Sequence, residues 1–148
     1  MICLIAGAGT LSACTTSGQA SPSTPPREPT APSFAAVCRD VTRVEAFVVP
    51  LLDRLDAGAE PDARFADEVG RVGEIAARLY DDAAQFASSR PEVFTTLNAL
   101  STNLNRLTIQ GDVEFTRPDQ IPTDAVPSVR TALAGVQQAI QAGTIACP

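Results

Sequence analysis

Few side chains in this sequence can perform chemistry. Histidine is absent, which excludes Ser–His–Asp and Cys–His nucleophiles and the Glu-x-x-His ligands of di-iron helical bundles. The single methionine, Met1, excludes a methionine-rich copper site, and no glycine-rich phosphate loop occurs. Carboxylates are adjacent at Asp67–Glu68 and Asp81–Asp82, but sequence neighbours point about 100° apart on a helix and form no paired site by spacing alone. We therefore predict no catalytic residue, metal site or cofactor.

Two polar regions are candidates for recognition instead of catalysis. Asn98, Thr102, Asn103 and Asn105 belong to an uncharged, hydrogen-bonding face of a predicted helix. Solvent-facing helix surfaces are usually charged, so this face could bind a glycan or a protein; an ordinary neutral surface is the alternative. The connection 112–122 is the longest between predicted helices, and long loops often carry binding residues. Arg117 is the residue of this connection that we would mutate first.

A short leader determines where we expect the protein to work. Residues 2–11 are apolar or small, and they precede Leu11-Ser12-Ala13-Cys14 and a Ser/Thr/Pro-rich tract. This arrangement resembles the lipobox of a bacterial lipoprotein, and the use of arginine without lysine in an alanine-rich chain resembles small helical lipoproteins of actinobacteria. The resemblance implies a signal peptide over 1–13, cleaved before Cys14, and a lipid on that cysteine. A plain secreted protein is the alternative.

Two features of the leader qualify this interpretation. About ten apolar residues reach only half of a ~30 Å hydrocarbon core, so the segment is too short for a transmembrane helix. No basic residue precedes the apolar run, although secretory leaders normally begin with a positively charged region. We expect the true start of the protein to lie upstream of Met1.

The resemblance to lipoproteins also implies a role for each of the other cysteines. If Cys3 leaves with the leader and Cys14 carries the lipid, Cys38 and Cys147 remain near the two ends of the folded part. In an oxidising compartment these two thiols are expected to pair, and closing so long a loop contributes up to ~4–5 kcal/mol. Two free thiols are the alternative.

The composition of the linker predicts its conformation, and the net charge disfavours one class of partner. The segment 14–33 is rich in Ser, Thr and Pro and lacks the apolar bulk needed for a core, so we predict an extended linker that reaches at most roughly 60 Å. The net charge of −6 disfavours nucleic acid, which repels an acidic surface. Solubility is the simplest explanation of that charge.

Four segments of residues 34–148 have the apolar spacing of amphipathic helices. We expect Ser33 to cap the first and Ser89 and Glu92 to form a capping box before the third, with the second opening near Pro61–Asp62 and the fourth near Thr123–Asp124. The predicted stops are Gly58, Gly111 and Gly143. The four apolar stripes are 37/41/44/48/51/55, 65/69/72/76/79/83/86, 93/97/100/104/107 and 126/129/133/136/140.

The apolar residues of each stripe are alternately three and four residues apart. This spacing predicts an all-α, up-down-up-down four-helix bundle, which we expect an end-to-end disulfide to close. Pro50 interrupts the first helix and is expected to bend it or to open a pocket beside it. Gly70 and Gly73 are expected to allow close packing, and Val113–Phe115 is the one candidate strand.

The predicted function is that of a lipid-anchored, extracytoplasmic interaction or accessory module without enzymatic activity. Its partner would be an envelope protein or a wall component, and its membrane contact would be the lipid on Cys14. The alternative is a carrier of a small apolar ligand held in the bundle core. An enzyme is the third possibility, which inward-facing carboxylates with raised pKa values would favour.

Overall fold

The computed structural model describes residues 33–58, 60 and 62–148. The predicted signal peptide 1–13, Cys14 and the linker up to residue 32 lie outside the described residues. The described part is mostly helical, with one small sheet. Its elements are α1 (Phe34–Arg43), a π-helical turn (Val44–Val48), α2 (Val49–Asp56), α3 (Phe65–Ala84), α4 (Pro91–Asn105), β1 (Ile109–Gln110), β2 (Val113–Glu114), a 3-10 turn (Pro118–Gln120) and α5 (Ala125–Gln141).

The core consists of the four apolar stripes, which confirms the helical periodicity. Every stripe residue of the second and third predicted helices is buried, and only Leu55 and Ile140 of the other two are partly buried. Leu52, Ile75 and Ile145 add to the same core from outside the stripes. The helix α3 packs against both α1 and α4, and α4 packs against α5.

Pro50 does not stop the first helical segment. The helix continues from Phe34 to Asp56 because a π-helical turn precedes the proline, and the Val49 amide bonds to the Val44 carbonyl five residues back. A proline has no N–H to donate and its ring crowds the preceding turn, so one wider turn lets the helix pass it. The turn also carries Phe47, which is 57% exposed.

Several predicted helix ends are confirmed by backbone geometry. The Ser33 hydroxyl accepts a hydrogen bond from the Ala35 amide, and Gly58 and Gly143 have positive φ angles of 74° and 73° just beyond α2 and α5. A left-handed residue ends a helix at little cost when it is glycine. These two stops were therefore predicted for the correct reason.

The predicted start of α3 was wrong by one turn. Helix α3 begins at Phe65, because Asp62 accepts a hydrogen bond from the Arg64 amide through its carboxylate and another from the Phe65 amide through its carbonyl. Asp62 thus forms a turn of its own before the helix.

The capping box at Ser89 was also wrong. Helix α4 begins at Pro91 with Arg90 as its N-cap, no side chain caps that end, and Glu92 pairs with the Arg90 side chain instead. Proline in the first turn needs no amide partner, so a capping serine contributes less here.

Gly111 does not end the third helix. Helix α4 ends at Asn105, and Gly111 lies in a two-residue loop of an antiparallel hairpin, where Ile109 pairs with Glu114 and Gln110 pairs with Val113. Its φ of 64° is the positive value that tight hairpin loops require. The candidate strand at Val113 is confirmed, and Phe115 is buried beneath it.

The two ends of the described chain meet at a disulfide. Cys38 and Cys147, 109 residues apart, are bonded with their Cα atoms 5.6 Å apart. Beside them the Phe34 and Phe86 rings stack at 4.7 Å, and the Arg90 guanidinium lies 5.6 Å above the Phe34 ring. The predicted pairing is confirmed. Within the described part, no helix is both long and apolar enough to cross a membrane.

Candidate interaction surface

The predicted polar face of α4 is divided among three surroundings. Asn98 is half-buried and Thr102 is exposed, and neither side chain makes a hydrogen bond to another described residue. Asn103 lies in the groove between α4 and α5 and donates to the Ala99 carbonyl of its own helix at 2.8 Å. Asn105 lies at the end of α4, beside the hairpin. These residues therefore do not form one continuous recognition surface.

Arg117 is part of a compact loop and lies apart from the α4 residues. Its side chain pairs with Asp119, and its amide donates to the Gln120 side chain at 2.9 Å. The Thr116 amide donates to the same Gln120 oxygen at 2.7 Å. The side chain remains exposed but is already neutralised by a carboxylate two residues away.

The end of α4 and the long connection come together at a groove between the hairpin and α3. We call it the hairpin groove, and its volume is about 320 Å³. Its lining combines apolar, amide and carboxylate groups from α3, the end of α4, and both strands of the hairpin: Ala66, Val69, Gly70, Gly73, Glu74, Asn105, Thr108, Ile109, Glu114, Phe115 and Thr116.

Local hydrogen bonds explain why this wall of the groove forms. The Thr108 amide and hydroxyl both donate to the Asn105 carbonyl, at 2.9 and 2.8 Å, which turns the chain out of α4. The Phe115 amide then donates to the Thr108 carbonyl at 2.8 Å and extends the hairpin by one rung. Thr108 and Phe115 are only 6% and 4% exposed, so burial anchors the hairpin against the core.

The floor of the groove depends on two glycines in α3. A Cβ at Gly70 would meet nothing within 4 Å, and one at Gly73 would meet only the Thr108 side chain, at 3.8 Å. The expectation that Gly70 permits close packing inside the fold was wrong, because this position faces open space. At Gly73 the contact is an ordinary one with a hairpin side chain. Glycine in mid-helix costs about 1 kcal/mol relative to alanine.

Electrostatically, the groove is acidic. Glu74 of α3 and Glu114 of β2 both line the groove, and no arginine is among the described residues that line it. Glu74 is 70% exposed and has a long 3.8 Å contact with Arg78, while Glu114 has no ion pair in the described part of the chain. The walls can therefore attract a cation.

Sequence reasoning missed a second feature, a buried aspartate in α1. Asp40 is only 2% exposed, pairs with Arg43 and lies 3.9 Å from Arg78. Asp82 of α3 is within hydrogen-bonding reach of it, and partial burial followed by the Asp40 charge raises the pKa of Asp82 above its ordinary value. The Asp40 charge, on the neighbouring helix, raises the pKa of Asp82 more than the charge of its sequence neighbour Asp81 does. An aspartate three residues before Arg43 was not conspicuous in the sequence, because it follows Arg39 on a charged stretch.

The geometry of this carboxylate pair does not resemble a substrate site. Neither aspartate lines the hairpin groove or the grooves beside the disulfide, Pro50, Asp119 and Ser128. Two arginines neutralise Asp40, and no group of three metal-ligating side chains occurs within residues 33–58, 60 and 62–148. The contact of Asp40 with Arg78, at 3.9 Å, connects α1 to α3.

The other grooves are surface features with mixed linings. The largest, about 600 Å³, runs beside the disulfide between α1 and α5 and includes Arg39 and Glu45. One of about 200 Å³ lies beside Pro50, where Phe47 and Arg71 form its sides. A third, of about 460 Å³, contains Asp56 and Asp119, which Arg130 and Arg117 already neutralise.

No family model, curated protein or solved structure matches the chain. Gly70 and Gly73, three residues apart outside the apolar stripe, were the available signal for the groove. Their partner wall could not be recognised, because it required the hairpin.

Proposed function

We propose that the protein is a membrane-anchored, extracytoplasmic lipoprotein that acts as a non-enzymatic interaction module of the cell envelope. Its contact surface is the hairpin groove, and its partner is an envelope protein or a wall component. The observation that carries this proposal is the meeting of Asn105 and residues 114–116 at one open groove with a glycine floor.

The proposed location rests on the leader and on the disulfide. Leu11-Ser12-Ala13-Cys14 supplies the acceptor for a lipid, and the linker 14–33 supplies reach from the membrane. The Cys38–Cys147 bond is of the kind that persists in oxidising compartments and is rare in the cytosol. Together these features favour display outside the cytoplasmic membrane.

We also propose the up-down-up-down order for the helical segments. It is supported by the packing of α3 against α1 and α4, by the packing of α4 against α5, and by the bond between the first helix and the last residues of the chain. The carrier function has less support, because the described grooves lie at the surface and have charged or polar side chains in their walls.

The test of the interaction function is site-specific photocrosslinking in cells that express the full chain. A photoreactive phenylalanine analogue replaces Thr116, an exposed residue at the edge of the groove, and the matched control carries it at Val113, which is exposed on the same hairpin but does not line the groove. We expect one defined crosslinked product from position 116 and none of that mass from position 113. Equal labelling from both positions, or none from position 116, would contradict the proposal.

The test of the location is the intact mass of the protein from the membrane fraction, with a non-reduced peptide map. A mature N-terminus at Cys14 with added acyl mass is the expected result. Replacement of Cys14 by serine should release the protein from the membrane fraction. An unmodified Cys14 in membrane-bound protein would exclude the lipid anchor.

A further inference from the structure

We propose that the Cys38–Cys147 disulfide is a site of thiol–disulfide exchange, where a protein with two reactive thiols reduces the folded chain. This inference goes beyond the interaction function and uses no residue of the hairpin groove. Three features support it: a groove that both cysteines line, a tail that is attached at its end by the bond itself, and a nearby arginine.

The bond lies at the surface of the folded chain. Cys38 and Cys147 are each half-buried, and both line the groove of about 600 Å³ between α1 and α5. Gln141 lines the same groove and makes no side-chain hydrogen bond within the described part of the chain. Its amide can therefore pair with the backbone of an extended segment that brings a cysteine to the bond.

The tail that carries Cys147 has few attachments besides the disulfide. The last anchored residue before it is Ile145, which is fully buried and whose amide donates to the Ala139 carbonyl at 3.1 Å. Residues 146–148 lie outside any helix or strand, and the Ala146 and Cys147 amides donate no hydrogen bond to a described residue. Opening the bond therefore releases this short tail from α1 and leaves the buried residues of the helices in place.

The surroundings of the two cysteines assign the direction of the exchange. Cys38 is fixed within the helix α1, whereas Cys147 is on the tail and can move when the bond opens. Arg39 lines the same groove and has no ion pair among the described residues, so its positive charge favours a thiolate at Cys38. The better stabilised thiolate leaves faster, which makes Cys38 the leaving group and Cys147 the sulfur that is attacked.

The exchange reduces the chain by two electrons. A thiolate of the partner bonds to the Cys147 sulfur, and the electron pair of the S–S bond passes to the Cys38 sulfur, which takes a proton from water. The second thiolate of the partner then attacks the mixed disulfide and releases Cys147, which is protonated in turn. The chain gains two electrons and two protons, and the partner is oxidised to its own disulfide.

The experiment measures reduction of the full chain by reduced thioredoxin, in detergent micelles and at urea concentrations below the unfolding transition. Free thiols are first blocked with N-ethylmaleimide, new thiols are trapped with iodoacetamide, and the intact mass counts them. We expect a rate that is proportional to the thioredoxin concentration and changes less than about twofold with urea, because the native state reacts. No reduction, or a rate that rises with urea as steeply as the unfolded fraction, would overturn the proposal.

A thioredoxin variant whose second active-site cysteine is replaced by serine identifies the sulfur that is attacked. This variant cannot resolve the mixed disulfide, so the intermediate accumulates. A peptide map should show thioredoxin bonded to Cys147 and iodoacetamide on Cys38. A mixed disulfide on Cys38 would overturn the assigned direction.

Matched variants test the charge beside the bond. Arg39→Gln should slow the reduction by about two- to fivefold, the scale of one exposed charge interaction, and Arg39→Lys should retain most of the rate. Arg71→Gln removes an exposed arginine of α3 that does not line this groove, and it should change nothing. Equal effects of Arg39→Gln and Arg71→Gln would overturn the role of Arg39, because net charge alone would then account for both.

Failure of this inference is distinguishable from failure of the interaction function. If thioredoxin does not reduce the folded chain while the crosslink from position 116 forms, the exchange site is wrong and the contact surface stands. If the folded chain is reduced and the crosslink is missing, the contact surface is wrong and the exchange site stands.

Discussion

The disulfide end and the hairpin region of this domain are stabilised by different kinds of interaction. At the disulfide end, a covalent bond, two stacked phenylalanines and the fully buried Ile145 close the structure where the chain ends meet. In the hairpin region, two strands of two residues each rest on a helix that is open at Gly70. One region is held by a bond and apolar packing, and the other by a few hydrogen bonds and two anchoring side chains.

This difference separates stability from recognition within one small domain. A closed loop of 109 residues stabilises the fold from one end, so the hairpin can be small and the groove beside it unfilled at modest cost. Functional surfaces often carry such local weaknesses while the rest of the fold maintains stability. The following four predictions test this division, beginning with the largest expected effect.

Removing the disulfide should cause the largest loss of stability. The Cys38→Ser/Cys147→Ser variant should lose up to about 4–5 kcal/mol of unfolding free energy, because the unfolded chain regains the freedom of a long loop. Urea unfolding at equilibrium measures the difference, and chemical reduction of the unaltered protein serves as the control. If the reduced protein and the variant unfold at the original midpoint, the closed end does not stabilise the domain.

Gly111→Ala should cost about 1–2 kcal/mol, because a residue with a side chain is forced to a φ of 64°. The same change at Gly143, with a φ of 73° near the disulfide end, should cost a similar amount. Only the Gly111 variant should weaken binding at the hairpin groove. Equal effects on binding from both variants would contradict the separation of the two regions.

Gly70→Ala should stabilise the domain by about 0.8–1 kcal/mol, since the added methyl meets nothing and alanine favours the helix. Gly135→Ala in α5, where an added Cβ also meets nothing within 4 Å, should stabilise the domain by a comparable amount. Thermal unfolding of the two variants measures both gains. A loss of stability at position 70 alone would show that this position is packed.

Asp82→Asn should have the smallest effect, and that effect should depend on pH. The folded protein raises the pKa of Asp82 above its ordinary 3.8, by partial burial and by the nearby Asp40 carboxylate. The stability linked to protonated Asp82 is therefore complete below pH 3.8 and is lost as the pH rises through the raised value. At neutral pH the variant should be slightly more stable than the unaltered protein.

The control for this prediction is Asp67→Asn, in the first turn of α3. A carboxylate there is favoured by the helix dipole, so its removal should bring no gain at neutral pH. Urea titrations between pH 3 and pH 8 compare the variants. An Asp82→Asn advantage that does not shrink on acidification would show that the Asp40–Asp82 contact is unimportant.

Much of the helical structure could be predicted because it depends on local periodicity. The spacing of Val93, Leu97, Leu100 and Leu104 specifies a buried face whatever the rest of the chain does. Gly58 and Gly143, which have positive φ angles, were predicted as helix ends because each comes just after an apolar stripe. Predictions failed where a short-range interaction competed with the pattern, as at Asp62 before α3 and at Asn105, where Thr108 turns the chain out of α4.

The sequence predicted only separate parts of the candidate site. Asn105 and the loop 112–122 were both singled out, yet Asn98, Thr102, Asn103 and Arg117 lie outside the groove that the two pieces form. A polar face read from one helix cannot show which of its residues a neighbouring element will cover. Glu74 and Glu114 line one groove only because the fold places the hairpin beside α3.

The sequence by itself determined the helical class, the buried stripes and the residues that pair as a disulfide, because these depend on spacing along the chain and on the few cysteines that remain. The tertiary structure alone decided that Gly70 faces a groove, that the Asp40 charge raises the pKa of Asp82 and that Glu114 of the hairpin lines the same groove as Glu74. These contacts join residues far apart in the chain, and their geometry depends on how the helices pack, a property that no local pattern encodes.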